Sequence, residues 1–366
     1  MDMQLPVSIL GAGPAGFALA ADLQGHGRSV LLYSHPAHTR HADSVREKGC
    51  LRATGVMRGS TTVQITTDIG EVVAFSRVLI LTVPSTGQET LLEELKGFDL
   101  RLHTLIAIPG NLFSLVAGAE IDVENILETN ISPYSCRMED GTLRVMGRKS
   151  VVSIAALRDD LGPEFYAGIQ GIFSPVELRW CSSVVEVSLS NINGVFHPLM
   201  MLMNAGRIES TAGGFLIYRD GLTRSVANAM LAVDRVRIEV GAKFGLRLKS
   251  TIDVSNECYN QGFTDLVDLA QNSPPHNKLK APADIDNRNI SEDVPDLLVA
   301  WHALAEKLGI DASPITAVII LVEMATGIKY MRLGRNLRKL HLEDVPRGEL
   351  IARFSPWLIA QNEVRL

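Results

Sequence analysis

Through the first half of the chain, apolar residues come in short unbroken runs separated by polar turns that contain glycine or proline. The runs Val7–Leu10, Ser29–Tyr33, Val78–Val83, Leu105–Ile108 and Asn125–Thr129 are strand-sized. Their lack of alternation predicts strands covered on both faces, as in a parallel sheet with helices above and below. Phe17–His26, rich in alanine, lies between the first two and reads as a helix. Arg144–Met146 and Ser150–Ile154 read as closing strands, and Leu157–Ile172 as the helix that ends this half, with a boundary in the stretch 173–183. From Val184 onward the period lengthens to three or four residues, which predicts helices. One helix is expected to run from Val184 through Ser190–Pro198 to Met203, and an amphipathic one from Thr223 to Phe244 with Val226, Met230, Val233, Val236 and Val240 on its packing face. After a long polar loop over residues 272–289, Leu297, Leu298, Trp301, Leu304 and Leu308 form a stripe closed by Gly309, with Ser291 or Asp293 as the cap and Pro295 in the first turn. A last helix runs from Ser313 to about Ala325 and stops at Gly327.

The first turn carries chemistry. Gly11-Ala12-Gly13-Pro14-Ala15-Gly16 follows the first strand and opens the first helix, which is the setting in which this glycine spacing binds a dinucleotide. Gly11 allows the tight turn, Gly13 lets the backbone approach a pyrophosphate, and Gly16 lets helix and strand pack closely, while the first N–H groups of the helix face the phosphates. The class is therefore α/β: an N-terminal Rossmann dinucleotide-binding domain over residues 1–178 and a mainly α-helical domain over 179–366. At the end of the second strand, where an acidic residue would bond the ribose hydroxyls of NAD, this chain has Ser34, His35 and, five residues on, Arg40. A hydroxyl and a guanidinium suit a ribose 2′-phosphate, so NADPH is the expected cofactor and NADH the alternative. The next two strands end in Thr82-Val83-Pro84 and Pro109-Gly110-Asn111, at the rim where a cofactor is expected, with Asn111 beside the nicotinamide.

Composition narrows the class further. The 366 residues suffice for two domains, and a net charge of -6 with no basic tail gives no electrostatic reason to expect nucleic acid or an anionic membrane. No apolar run approaches the roughly 20 residues that span a bilayer, and no secretory leader follows Met1, so a cytoplasmic protein is expected. Cys50, Cys136, Cys181 and Cys258 are far apart and lack metal-ligand spacing; no metal site is implied, and the thiols are expected to be reduced and mostly buried.

In the second half, Asn193 and His197 lie four residues apart and so share a helix face among apolar neighbours. A lone histidine in such a setting is commonly a satisfied core group, and an aspartate at a helix start is commonly a cap. The combination points elsewhere. With the N-terminal nucleotide unit, Asn191-x-Asn193-x-x-x-His197-Pro198, Tyr218-Arg219 and Asn287-Arg288-x-x-Ser291-Glu292-Asp293 resemble the opine dehydrogenases over nearly the whole chain. Leu81-Thr82-Val83-Pro84-x-x-Gly87-Gln88 and Ser132-Pro133-Tyr134-x-Cys136-Arg137 resemble, within that family, the crown-gall opine synthases of octopine synthase and vitopine synthase type.

The resemblance implies roles for the matching residues. His197 would be the catalytic acid, Asp293 its carboxylate partner and Arg288 the clamp for a substrate carboxylate. Asn193 and Asn111 would orient the reacting carbon and the nicotinamide, and Tyr134 and Tyr218 would touch substrate. Asn289 replaces an aromatic residue found in many relatives, which leaves the amino acid open. Such an enzyme condenses an L-amino acid with a 2-oxo acid, pyruvate or 2-oxoglutarate, and reduces the imine with hydride; a histidine held by a carboxylate supplies the accompanying proton. Two other readings stand beside it: a 2-ketopantoate or 3-hydroxyacid type reductase acting without an amine, and an NADPH sensor without chemistry, in which His197 and Asp293 would lie beyond about 5 Å. The crown-gall placement implies action in the cytoplasm of plant tumour cells, and the apolar last helix (Ile315, Val318, Ile319, Leu321, Val322) suits either a core or a homodimer contact.

Overall fold

A computed structural model describes residues 5–158 and 160–356; the outermost ends of the two expected domains lie outside the described residues. The chain divides into two compact units, Met1–Trp180 and Cys181–Leu366.

The first unit is built on β1 (Val7–Leu10), β2 (Val30–Tyr33), β3 (Leu51–Gly55), β4 (Gly59–Thr61), β5 (Gln64–Thr66), β6 (Val78–Leu81), β7 (Leu100–Ala107), β8 (Val123–Thr129), β9 (Tyr134–Glu139), β10 (Thr142–Arg148), β11 (Val151–Ala156) and β12 (Glu177–Trp180). Eight of them form one sheet in the order β12-β11-β8-β7-β6-β1-β2-β5. β5, β2, β1, β6, β7 and β8 run parallel, and β11 turns against β8. Every residue of β1 and β6 is buried, which is what an unbroken apolar run requires.

Two expectations for this unit are corrected. The 144–146 stretch does not close the main sheet. It belongs to β10, in a separate four-stranded sheet ordered β4-β3-β10-β9. Leu143 and Val145 are buried while Arg144 is exposed, the alternation of a strand covered on one face only. The helix before the boundary starts at Pro163 instead of Leu157, because a proline preceded by glycine is a ready first turn.

The second unit is helical. The helix expected to run unbroken through His197 is two: Val184–Leu189, capped by the Ser183 hydroxyl, and Asn193–Met203. The break at residues 190–192 is closed by the buried Asn191, whose Oδ1 accepts the Asn193 N–H at 3.1 Å. Gly194 lies where a Cβ would fall 2.7 Å from the Trp301 ring, so the glycine lets the His197 helix pack directly on the Val299–Leu308 helix. The amphipathic helix spans Arg224–Lys243 and buries all five of its expected packing residues. Its Asp234 and Arg237 form a buried network: Arg237 donates to Asp234 Oδ1 at 2.8 Å and to the Leu189 and Lys249 carbonyls at 2.5 and 2.7 Å, and Asp234 accepts the Thr251 N–H and hydroxyl. Burial presses the Arg237 pKa down while Asp234 opposes the shift.

The Ser313–Thr326 helix stops at Gly327, where φ is +74°, but it is not the last: Tyr330–Leu333 and Arg347–Phe354 follow. Of the cysteines only Cys258 is buried; Cys50, Cys136 and Cys181 are half-buried. Among the described residues no helix is long and apolar enough to cross a membrane.

Candidate active site

The glycine-rich turn has the geometry a nucleotide needs. Gly11 has φ +129°, and a Cβ there would meet the Thr82 and Val83 side chains at 2.9 Å. A Cβ on Gly16 would fall 1.9 Å from the Gly11 carbonyl, so only glycine allows the crossing of turn and helix. At Gly13, by contrast, a Cβ would meet nothing within 4 Å. Space is thus left in front of a backbone that opens the Pro14–Gly25 helix, whose Ala15 and Gly16 N–H groups have no acceptor within the helix. The residues present fit the pyrophosphate of a dinucleotide.

Around this turn the expected cofactor residues separate into groups. The Thr82 hydroxyl donates to the Gly11 carbonyl at 3.0 Å, and Val83 packs against Gly11, so both shape the turn; Pro84 precedes the Ser85–Leu95 helix. Ser34 is fully buried with its hydroxyl toward the His38 carbonyl. His35 takes the Ala37 N–H on Nδ1 and pairs through Nε2 with Glu94 at 3.1 Å, and Glu94 also accepts from Tyr33. Arg40 is exposed at the start of the Arg40–Glu47 helix.

The rim loop after β7 is held in an unusual backbone conformation. Asn111 and Leu112 have φ of +56° and +68°, a region that costs a non-glycine residue on the order of 1 kcal/mol or more. Glu128, buried inside β8, compensates by accepting the Leu112 and Ser114 N–H groups at 2.9 and 3.0 Å and the Ser114 hydroxyl at 2.7 Å. Gly110 is needed because a Cβ there would strike the Glu128 side chain at 2.2 Å. Gln88, also buried, donates to the Pro109 carbonyl at 2.7 Å and so ties this loop to the helix behind Thr82. Asn111 is thereby fixed, at 1% exposure. Tyr134, expected to touch substrate, is instead turned into the fold: its hydroxyl donates to Asp22 at 2.5 Å, and burial followed by the Asp22 charge raises its pKa well above the usual phenol value. β9 packs on the first helix there, and Arg148 adds a second contact to Asp22 at 3.5 Å.

In the second unit the structure joins two residues 96 positions apart. His197 Nδ1 lies 2.6 Å from Asp293 Oδ2. Asp293 is buried and His197 keeps 23% of its side chain exposed. With the aspartate ionised, Nδ1 must carry the proton of this bond, leaving Nε2 for a reacting group. Asp293 occupies the position before the next helical turn but makes no capping bond, so the ordinary capping explanation does not hold. Asn193 begins the His197 helix, one turn earlier on the same face. One turn later, Met201 meets the Asn287 and Asn289 amides at 3.7 Å, which seats this face against the Arg288–Ser291 turn. Arg288 is exposed and its guanidinium reaches the buried Glu292 at 3.1 Å. Tyr218 is buried in an aromatic cluster, 6.0 Å from the Phe196 ring and 4.8 Å from His276. Among the described residues no group of three or more His, Cys, Asp or Glu could hold a metal ion.

Directly after Asp293 the backbone makes a π turn, Val294–Leu298, a local widening that re-phases side chains before it relative to those after it. One residue, Arg335, holds it at two points. The Arg335 N–H donates to the Pro295 carbonyl at 2.8 Å, and its buried side chain lies 3.3 Å from Asp296. Arg335→Met should therefore lower kcat by on the order of 10- to 100-fold with the KM for nucleotide unchanged, because Asp293 loses its aim. Arg335→Lys should recover part of the loss. Turnover normalised to the folded fraction, read from the circular dichroism of each variant, separates this from simple unfolding, which lowers active-enzyme concentration and leaves the turnover of the folded fraction unchanged.

Glu94, Glu128 and Arg335 were not anticipated. Only Glu128 leaves a trace in the sequence, as a charge inside the otherwise apolar end of a buried strand.

Residues 180–326 match the model of the NAD/NADP octopine/nopaline dehydrogenase alpha-helical domain, and residues 6–114 that of the NAD-dependent glycerol-3-phosphate dehydrogenase N-terminus. The vitopine synthase of Allorhizobium ampelinum is 27% identical and the opine dehydrogenase of Arthrobacter sp. (strain 1C) 28% identical, each alignment covering 92% of this chain and 95% of the relative. The structure of an octopine dehydrogenase with NADH and L-arginine matches with a TM-score of 0.73 at 16% identity, over 97% of this chain and 95% of that one. Over nearly its whole length the chain is similar to opine dehydrogenases, and it is an NAD(P)H-dependent oxidoreductase.

Proposed function

We propose that this opine-dehydrogenase relative joins the amine of an L-amino acid to a 2-oxo acid, pyruvate being favoured over 2-oxoglutarate, and reduces the resulting imine to a secondary amine. The observation that carries the reading is the His197–Asp293 contact at 2.6 Å, on a chain that also bears a nucleotide turn and an arginine five residues before Asp293. Condensation of amine and ketone releases water and leaves a C=N bond. Bound at the glycine-rich turn, NADPH supplies the hydride that this carbon accepts.

The protein's own groups do the rest. His197 Nε2 gives a proton to the oxygen that leaves as water or to the nitrogen as its carbon is reduced, and Asp293 stabilises the charged ring that precedes the transfer. Arg288, exchanging Glu292 for substrate, holds a carboxylate through two parallel N–H bonds. Asn193 orients the reacting carbon, and Asn111, held by the Glu128 network, the nicotinamide. Tyr218, walled by Phe196 and His276, borders the amino-acid side chain. Arg40, exposed, favours the 2′-phosphate of NADPH; Ser34 and His35, turned to protein partners, act by shaping the loop. The sensor reading required a His197–Asp293 separation beyond about 5 Å and loses its support here.

The test is oxidation of NADPH, followed by its near-ultraviolet absorbance, with pyruvate or 2-oxoglutarate, each alone and with L-arginine, lysine, ornithine, glutamine or histidine, and the same set with NADH. Oxidation that needs both partners, and is faster with NADPH, is expected. Oxidation with the oxo acid alone would assign a simple oxo-acid reductase instead.

A further inference from the structure

Arg288 and Glu292 face each other across one helical turn, with Nη2 3.1 Å from Oε2. The two ends of this pair are unlike: the arginine side chain is 68% exposed and the glutamate side chain 4%. A buried carboxylate persists only where cations or hydrogen-bond donors balance it. Here the guanidinium lies on its solvent side, so the arginine is also its cover. The next residue is Asp293, buried as well, which holds His197 Nδ1 at 2.6 Å. Two buried carboxylates thus follow one another, the first against an exposed arginine and the second against the imidazole. The Arg288–Ser291 turn packs on the Asn193–Met203 helix and on the π turn. The helix brings the titratable His197, the π turn brings Asp296 gripped by Arg335, and the loop leading in carries Asp284 and Asp286, both exposed.

We propose that Glu292 is the base that takes a proton from the ammonium of the incoming amino acid, and that Arg288 uncovers it when the oxo-acid carboxylate draws the guanidinium away. At neutral pH an amino acid carries an ammonium, whose nitrogen has no electron pair with which to attack a carbonyl. The reductive condensation proposed above, on which this role rests, therefore needs a proton acceptor before His197 can serve as donor. Once the oxo acid holds the guanidinium, the negative charge it had balanced attracts the ammonium. Burial then favours the transfer, because a low-polarity setting disfavours the ionised carboxylate. The α-carbons of adjacent residues are about 3.8 Å apart, so one peptide unit carries both this base and the partner of the acid. The protons balance. Glu292 Oε2 takes one from the ammonium, and the freed nitrogen pair forms the bond to the carbonyl carbon while the carbonyl pair moves to oxygen. That oxygen receives one proton from His197 and one from the nitrogen, and leaves as water as the C=N bond forms. When the carbon accepts hydride from NADPH, the C=N pair returns to nitrogen, and the proton on Glu292 passes to the secondary amine. Glu292 ends as it began, and the one proton consumed is that of His197, which water restores.

Steady-state kinetics over about pH 7 to 9 tests it, with the amino acid and the oxo acid varied separately and rates normalised to the folded fraction. In the wild type, kcat/KM for the amino acid should not rise over that range, because the enzyme accepts the ammonium form. A rise of about tenfold per pH unit, the signature of free amine as the sole substrate, overturns the proposal without any variant. Glu292→Gln should lose roughly 10²-fold in kcat/KM for the amino acid at neutral pH, and its ratio to the wild type should climb with pH as water supplies free amine. Its KM for the oxo acid should fall or stay level, since a neutral amide competes for Arg288 less than a carboxylate does. Glu292→Asp, which keeps the carboxylate, should keep the wild-type pH profile at a reduced rate. A glutamine variant with the wild-type profile overturns the role, and so does one whose loss lies in the oxo-acid KM, which would show that Glu292 merely aims Arg288. Either result, with a wild type that needs both substrates, overturns the base alone. A wild type that oxidises NADPH with the oxo acid alone overturns the condensation and the base together.

Discussion

His197→Ala is expected to lose turnover by roughly 10²-fold or more, with NADPH binding retained. The loss follows from one contact. In the folded chain Asp293 holds the imidazole through Nδ1 at 2.6 Å, so the ring presents a single nitrogen in a single orientation. Removing the ring removes the proton donor at the moment hydride arrives. Removing the carboxylate leaves the ring free to rotate and withdraws the charge that stabilises its protonated form, so Asp293→Ala should cost a comparable factor. Asp293→Asn should do little better, because an amide can accept the Nδ1 proton but carries no charge. The two residues act as a unit, so the double variant should be about as slow as either single one. Steady-state turnover, with nucleotide binding measured separately by nicotinamide fluorescence, checks this. Unchanged turnover in either single variant would sink the assignment.

Arg237→Ala should lower the unfolding free energy of the second unit by about 3–5 kcal/mol. The guanidinium is fully buried, and its removal strands the Asp234 charge together with the Leu189 and Lys249 carbonyls. Leaving one buried charge without its partner is costlier than deleting both. Arg237→Met with Asp234→Leu should therefore recover part of the loss, though only part, because Asp234 also serves Thr251. The readout is denaturant unfolding followed by the fluorescence transition of the buried Trp301, since a chain of two units need not unfold in one step. A variant as stable as the wild type would show that the network contributes nothing. Catalysis is tied to this network as well: Leu189 ends the helix that precedes the break before Asn193, so its carbonyl anchors the segment that aims His197.

Much of the first unit was legible because its signals are local. An unbroken Val7–Leu10 run, glycines at 11, 13 and 16 and an alanine-rich helix lie within one short stretch, and Gly11 and Gly16 are each explained by a close contact that a Cβ would make. The stripes of the Arg224–Lys243 and Val299–Leu308 helices were legible for the same reason. The break at residues 190–192 was not, because apolar residues continue through it and only Asn191, turned onto the Asn193 N–H, marks it. Nor was the fate of Tyr134, since its partner Asp22 is 112 residues away.

By itself, then, the order of residues determined where most of the strands and helices form, that the first turn can cradle a dinucleotide, and, through resemblance, which histidine and which aspartate to watch. Periodicity and turn chemistry act over a few residues, and that is the range over which a chain declares itself. Tertiary structure alone decided that Asp293 serves His197 and caps nothing, that Glu128 holds Asn111 in a left-handed backbone, that Ser34 and Tyr134 face inward, and that Arg335 grips the turn beside the acid pair. Apart from Ser34, whose hydroxyl turns to the His38 carbonyl four residues on, each of these depends on a buried polar group finding a partner beyond its own element, and that pairing exists only once packing has removed water as the alternative.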